Sequence, residues 1–308
     1  MKLLVIIMAF ALSAQAWGKN EVSVILVHLE GLNLMKAIKT SLPLIQAAGG
    51  PSKLSYKVIQ IDDAPLAQKN VVEISSPNLS KPIIVAGNGN DAYEGILVVA
   101  TLENKFKIDK MILASTCGLL SDSYNVLDIM IPSHFLRSDY TYADTDGKTL
   151  LFPNWPVGKL KESFEASYDL DLHASPLIKK FESVSKSEPW KKAIAACLKK
   201  STSPGAQDKT SLQMAFNTYH ITGAEFVAGI PARKKLADAF KAQSVDMRAQ
   251  QVLQAAKVYG TDVAADLSCS DLAGSDHPEN AFEVFRQNFL TAHEVALITA
   301  IFALASTN

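Results

Sequence analysis

Short runs rich in valine and isoleucine alternate along the chain with stretches whose apolar residues recur at helical spacing. Continuous apolar runs of this length are typical of strands that are buried on both faces. The runs lie at residues 22–28, 57–61, 82–87, 110–115, 126–132, 218–223 and 262–268. Strands that alternate with helices predict an α/β fold, in which helices cover a central mixed sheet.

Two segments show the helical spacing most clearly. Residues 92–106 carry apolar side chains on one side and lie between two predicted strands, so they predict the crossover helix of a βαβ unit. A similar stripe follows Arg248 and ends at Gly260, a residue type that commonly terminates helices. Residues 154–215 are richer in lysine, glutamate, serine and proline, and we interpret them as helices and a loop inserted in the same domain.

The beginning of the chain has the pattern of a secretory signal. Lys2 precedes an apolar run, and the tripeptide Ala-Gln-Ala at 14–16 has the small residues at which signal peptidases cleave. The pattern predicts a signal peptide at residues 1–16, a mature domain at residues 17–308 and a secreted protein. An N-glycosylation sequon begins at Asn78, which agrees with export but also occurs by chance.

The C-terminal stretch at residues 289–305 is strongly apolar. His293 and Glu294 interrupt it, and its apolar residues follow helical spacing, so it predicts a packed terminal helix and not a membrane anchor. The net charge is −1 and the basic residues are scattered. This charge distribution argues against nucleic acid and against an anionic membrane surface as partners.

The cysteines and histidines give no sign of a metal or cofactor. Cys117, Cys197 and Cys269 are too few for a disulfide scaffold, and their odd number leaves at least one without an intramolecular partner. The histidines are dispersed and show no ligand spacing. We therefore predict no metal and no cofactor.

Two segments that follow predicted strands carry candidate polar groups. In the first, Gly87, Asn88 and Gly89 lead into a helix, where backbone amides can face an anion. A tight strand-to-helix turn that requires glycine also explains these residues, and it is the default interpretation. In the second, Asp271 follows a buried strand, where it is either a general acid with a raised pKa or a cap of the next turn.

Two further segments add candidate binding residues. Glu225 and Phe226 follow the strand at 218–223, and Phe226 either presents an aromatic ring to a flat ligand or belongs to the core. The stretch SVDMRAQ places the acid Asp246 and the base Arg248 on either side of Met247, where a helix is predicted to begin.

Taken in order, VAGNGNDAYEG, TGAEFVAG, SVDMRAQ and SCSDLAG resemble the motifs of nucleoside phosphorylases and 5′-methylthioadenosine/S-adenosylhomocysteine nucleosidases. The resemblance implies a three-layer α/β domain around a mixed twisted sheet and cleavage of the N-glycosidic bond of nucleosides. It implies that Asp271 protonates the leaving purine, that Phe226 stacks on the base and that Met247 packs under the ribose. A homo-oligomer is implied as well, and inorganic phosphate is a co-substrate only if the protein is a phosphorylase.

The chain departs from the family pattern at several positions. Arg248 stands where the family has a carboxylate that holds the ribose hydroxyls, and arginine has no acceptor to replace it. Leu32 aligns with the glutamate that activates water in the hydrolases, and Glu30 lies too early. Leu113 replaces the phosphate-binding arginine of bacterial phosphorylases, and Asp91 beside the glycine turn would repel phosphate.

These departures favour a secreted protein with a nucleoside-type pocket in which N-glycosidic cleavage is weakened or lost. The first alternative is an active extracellular nucleoside phosphorylase or nucleosidase, in which Asp246 or Glu225 supplies the sugar-binding carboxylate and Asp271 the acid. The second alternative is a storage protein, for which the secreted bark storage proteins of plants are a precedent in this superfamily.

Overall fold

The computed structural model describes residues 19–29, 31–61, 71–89, 91–139, 141–143, 149–151, 169–274 and 278–305. Its strands are β1 (Glu21–Val27), β2 (Ser55–Ile59), β3 (Val71–Ser75), β4 (Ile83–Gly87), β5 (Lys107–Leu119), β6 (Ile129–Arg137), β7 (Thr141–Ala143), β8 (Thr149–Leu151), β9 (Asp169–Asp171), β10 (Met214–Thr222), β11 (Ser244–Asp246) and β12 (Asp262–Leu272). Its helices are α1 (Gly31–Ala47), α2 (Ala92–Lys105), α3 (Pro176–Ser185), α4 (Glu188–Lys200), α5 (Ile230–Phe240), α6 (Ala249–Val258) and α7 (Pro278–Ala305). The predicted signal peptide and residues 154–168 of the predicted insertion lie outside the described residues.

A large mixed sheet forms the centre of the fold, with the strand order β11-β10-β6-β12-β5-β1-β4-β3-β2 and β9 paired to β6. β5 runs parallel to β1 and β12, whereas β3 is antiparallel to β2 and β4. The end of β5 also pairs with β11, so that β11, β10, β6, β12 and β5 form a closed ring of strands. This mixed sheet with flanking helices confirms the predicted α/β class.

Two groups of helices pack on the sheet. α7 contacts β12, β5 and β1 and is surrounded by α1, α3 and α4, whereas α2 and α6 pack against each other. α7 has the length and composition of a membrane-spanning helix, but 78% of its most apolar window is buried inside the protein. Val295, Leu297 and Ile301 on this helix are fully buried, which agrees with the predicted packed terminal helix.

The structure corrects one predicted strand and adds others. The pattern at residues 57–61 predicted a buried strand, but β2 spans Ser55–Ile59 and most of its residues are exposed, because it is the edge strand beside β3. β3 and β11 have no counterpart among the predicted strands. β11 has only 3 residues, which is too short for a recognisable period.

The carboxyl ends of several parallel strands meet at one edge of the sheet. His28 directly follows β1, Phe226 follows β10, and Met247 and Arg248 follow β11, while Asp271 lies near the end of β12. In α/β sheets this edge is the usual place of ligand sites, because the loops that leave the strands converge there. The topology therefore gathers residues that are distant in sequence.

Candidate functional site

A cavity of about 290 Å³ lies at this edge of the sheet. The predicted residues that line it are Glu225, Phe226, Asp246, Met247, Arg248 and Asp271. Gly87, Asn88 and Gly89 are not among its lining residues, and they lie behind the cavity wall, where the Gly89 carbonyl contacts Arg248. The structure thus joins the three C-terminal candidate segments and separates them from the glycine turn.

An irregularity in β12 places the carboxyl group of Asp271 against the cavity. The pairing of β12 with β5 shifts between Cys269 and Asp271, so that Asp271 lies opposite Gly118. A Cβ atom at Gly118 would lie 3.1 Å from Asp271 Oδ1 and 2.9 Å from Ala273 Cβ. A side chain at position 118 would therefore force Ala273 or the Asp271 carboxyl group to shift, and glycine leaves both in place.

The environment of Asp271 favours its protonated form. Asp271 is 3% exposed, and burial raises the pKa of its carboxyl group to about 6. A hydrogen bond that Ser270 Oγ donates to Asp271 Oδ2 at 2.8 Å acts in the opposite direction and lowers the pKa in part. Asp271 is in a strand that continues to Leu272, so it does not cap a following turn. A buried carboxyl group with this pKa is suited to proton donation near neutral pH.

One wall of the cavity is aromatic. Phe226 is 40% exposed, so it is not a core residue, and its ring packs edge to face with Phe285 and Phe282 at centroid distances of 5.7 and 6.1 Å. Phe285 contacts Phe289 in turn at 5.2 Å. Met247, which is also 40% exposed, adds a flexible apolar side chain. This wall is suited to a flat aromatic ligand.

Arg248 is fixed in another part of the wall. It is 7% exposed, its Nη1 donates to Gly89 O at 2.8 Å, and its Nη2 donates to His28 Nδ1 at 2.8 Å. Because the guanidinium group has only donors, His28 Nδ1 must accept and the imidazole proton lies on Nε2. Burial, together with Arg248 and His293, lowers the pKa of His28 to about 2, so the ring is neutral. Arg248 thus offers a ligand no acceptor.

The carboxylate of Asp246 is occupied by protein groups. It accepts hydrogen bonds from Thr222 Oγ1 at 2.8 Å and from Ala249 N at 3.0 Å, and His220 Nε2 lies 3.0 Å from Oδ1. Burial acts to raise its pKa, but His220 and the Arg248 charge outweigh burial and lower it. These contacts cap the start of α6 and connect it to β10. Of the two predicted sugar-binding carboxylates, Glu225 is the exposed one, and it lies at the cavity rim.

The glycine turn is closed by carboxylates. Gly89 has a φ of +80°, and a Cβ atom there would collide with the side chain of Glu94. Asp91 Oδ1 accepts from Glu94 N at 2.8 Å and caps α2. Two carboxylates at this turn disfavour phosphate, so the geometry supports the interpretation of a tight turn over that of an anion site.

The Phosphorylase superfamily matches residues 78–302 of the chain, which include the cavity residues from Thr116 to Phe285. The chain belongs to this superfamily. Among curated relatives, the 5′-methylthioadenosine/S-adenosylhomocysteine nucleosidase of Staphylococcus aureus is 22% identical over 206 residues, covering 67% of this chain and 75% of the relative.

Solved structures of the superfamily share the fold. S-adenosylhomocysteine nucleosidase from Streptococcus pyogenes, in complex with 5-methylthiotubericidin, matches with a TM-score of 0.59 and 18% identity, covering 94% of this chain and 98% of that one. Futalosine hydrolase of Helicobacter pylori matches with a TM-score of 0.57 and 16% identity, covering 92% and 97% of the two chains. At these identities the likeness establishes the architecture and leaves the reaction open.

The other departures from the superfamily pattern can be placed in part. Leu113 is fully buried in β5 and pairs in register with Leu26 and Ala265, so it belongs to the core. Glu30 and the side chain of Leu32 lie outside the described residues.

Sequence reasoning missed several residues of the cavity. His28, Gly118 and Ser270 line it, as do Phe282 and Phe285 of α7. Phe282 and Phe285 continue the helical spacing of the terminal helix, a pattern that is typical of packing and does not mark a site residue. His28 directly follows a predicted strand, and this position was the available signal for a site residue.

Proposed function

We propose that the protein binds a purine base or nucleoside in this cavity and that its ability to cleave the N-glycosidic bond is weakened or lost. The observation that carries the proposal is the position of Arg248 in the cavity wall. It stands where the resemblance implies a carboxylate for the ribose hydroxyls, and its bonds to Gly89 and His28 hold it in the wall. A group without acceptors cannot take the hydrogen bonds that the ribose hydroxyls donate to a carboxylate. A sugar that is held in the wrong position reacts more slowly by a large factor.

The remaining groups favour recognition of a base. Phe226 offers its ring for stacking, and a protonated Asp271 can donate a hydrogen bond to a purine ring nitrogen. Solved relatives were captured with nucleoside analogues, such as the Streptococcus pyogenes enzyme with 5-methylthiotubericidin. A ligand of this class therefore agrees with both the geometry and the relatives.

The pKa of Asp271 favours a second candidate, an active nucleoside phosphorylase or nucleosidase. Proton transfer from Asp271 to the leaving base would lower the barrier to an oxocarbenium-like transition state. In that case Glu225, exposed at the rim, supplies the carboxylate for the sugar. Phosphate enters as a co-substrate only in the phosphorolytic form of this reaction.

Turnover and binding assays separate the two candidates. The protein is incubated with adenosine, inosine, methylthioadenosine and uridine, with and without phosphate, and free base is measured by chromatography. Binding of base or nucleoside by calorimetry without turnover supports the first proposal, whereas turnover that disappears in Asp271→Asn overturns it. Absence of both binding and turnover contradicts both candidates and favours a storage role.

Arg248→Glu tests the residue on which the proposal rests. If the arginine is what weakens sugar binding, the variant binds ribonucleosides more tightly than the wild type, while the affinity for the free base changes little. Equal affinities of both proteins for ribonucleosides would contradict this role of Arg248. Arg286→Glu is a control, because Arg286 is paired with Glu283 on the exposed side of α7.

We also propose that the protein is exported, glycosylated and homo-oligomeric. Asn78 is exposed, so its sequon is accessible, and its side-chain amide donates a hydrogen bond to Ser52 Oγ at 2.7 Å. Exposed Phe226, Met247 and Phe282 beside the cavity would be covered by a second copy. Digestion of the secreted protein with an N-glycosidase tests glycosylation, since an unchanged mass after digestion excludes it. Light scattering of the secreted protein tests the oligomer, since the mass of a monomer excludes it.

A further inference from the structure

Cys117 and Cys269 lie side by side on neighbouring strands, 152 residues apart in sequence. They are direct partners in the parallel register of β5 and β12, and their Sγ atoms are 3.0 Å apart. Neighbouring strands are spaced by about 4.8 Å, which falls within the Cα separation of about 4.4–6.8 Å that disulfides require. The backbone is therefore already in position for a covalent bond between the two side chains.

We propose that Cys117 and Cys269 form a disulfide bond at the wall of the cavity. The sulfur atoms need to approach by about 1 Å to reach the S–S length of about 2.05 Å, and side-chain rotation supplies such a movement. In the reaction the two thiols lose two protons and two electrons. A small disulfide such as oxidised glutathione takes them up and becomes two thiols, so the exchange is balanced.

The bond is expected to form while the protein folds. In the reduced, folded protein Cys269 is fully buried, and burial together with the Cys117 thiol raises the pKa of Cys269 well above its ordinary value. Because the thiolate is the reactive form, exchange in the folded state is slow. As β5 and β12 come together during folding, both thiols are still open to solvent, and the proposed export route would supply an oxidising compartment.

The bond would stabilise the structure that holds the proposed acid. Cys117 lines the cavity, and Cys269 precedes Asp271 at the irregularity of β12, so a bridge fixes the two strands at this point. It also closes a loop of 152 residues, which restricts the unfolded chain. We expect the oxidised protein to have a Tm higher by roughly 5–10 °C than the reduced protein.

Thiol counting on the wild type tests the bond directly. The full chain contains 3 cysteines. The protein is refolded with a mixture of reduced and oxidised glutathione and is then denatured for thiol counting. One free thiol is expected before reduction, and 3 free thiols are expected after reduction. Peptide mapping without reductant is expected to link the peptides of Cys117 and Cys269. A full set of thiols after oxidative refolding, a link to Cys197 or a link between chains overturns the proposal.

Melting curves of two variants give a second readout. Cys197, whose sulfur lies 3.9 Å from Glu294 Oε2 on another side of the core, provides the matched control. Compared with refolding in the glutathione mixture, refolding in reductant is expected to lower the Tm of the wild type and of Cys197→Ala by the same roughly 5–10 °C, and to leave that of Cys117→Ala unchanged. Equal sensitivity of all three proteins to reductant overturns the proposal.

Discussion

Replacing Asp271 by asparagine is expected to stabilise the protein at neutral pH and to change little in acid. Burial raises the pKa of Asp271 to about 6 from an ordinary value of 3.8. Between these two pH values Asp271 holds its proton to a greater extent in the folded chain than in the unfolded chain. The contribution of Asp271 to the free energy of unfolding therefore decreases as the pH rises through this window. Asparagine has no proton to lose, and its side-chain oxygen can still accept from Ser270 Oγ.

The size of the effect follows from the two pKa values. A tenfold change in a protonation equilibrium corresponds to about 1.4 kcal/mol, so the interval from 3.8 to about 6 corresponds to about 3 kcal/mol. Asp271 is 3% exposed, so water does little to screen this cost. Relative to the wild type, Asp271→Asn is expected to gain up to about 3 kcal/mol between pH 3.5 and pH 7.5.

Urea unfolding at several pH values measures this difference. All other titrating groups are common to both proteins, so their contributions largely cancel in the comparison. Asp246→Asn provides a control of opposite sign, because the pKa of Asp246 is lowered in the folded state and its carboxylate stabilises the protein above its ordinary pKa. A stability difference between Asp271→Asn and wild type that is the same at every pH would refute a raised pKa at Asp271.

Three further outcomes are expected. Phe226→Ala should weaken binding of a purine base by about 1 kcal/mol, or roughly fivefold, through loss of stacking, and unchanged calorimetric affinity would exclude contact of the base with this ring. Gly118→Ala should cost about 1–3 kcal/mol in urea unfolding, because its Cβ would lie 2.9 Å from Ala273 Cβ; a neutral effect would contradict the tight packing. Burial lowers the pKa of His293 to about 4, so the contribution of His293 to the free energy of unfolding should fall as the pH decreases from about 6.5 to 4. His293→Asn should flatten this part of the pH profile, and an identical profile would contradict the prediction.

The sequence by itself determined the class of fold and the superfamily. Apolar runs such as 82–87 and 110–115 are local signals, and each produced a strand in the structure, because continuous burial on both faces leaves a clear pattern. The motifs around Phe226, Met247 and Asp271 indicated the superfamily, because they follow one another in the same order as in its members. The edge strand β2 was mistaken for a buried one, because a short apolar run does not reveal how many neighbours a strand has.

Only the tertiary structure decided what the site residues contact. Asp246 was a candidate for sugar binding, but its carboxylate is taken up by Thr222 and Ala249, whose groups approach from another strand and a helix. Arg248 and His28 are 220 residues apart, and the Sγ atoms of Cys117 and Cys269 meet across 152 residues. Such partners depend on strand register and on the irregularity in β12, which arise from packing over the whole domain and leave no period in the sequence.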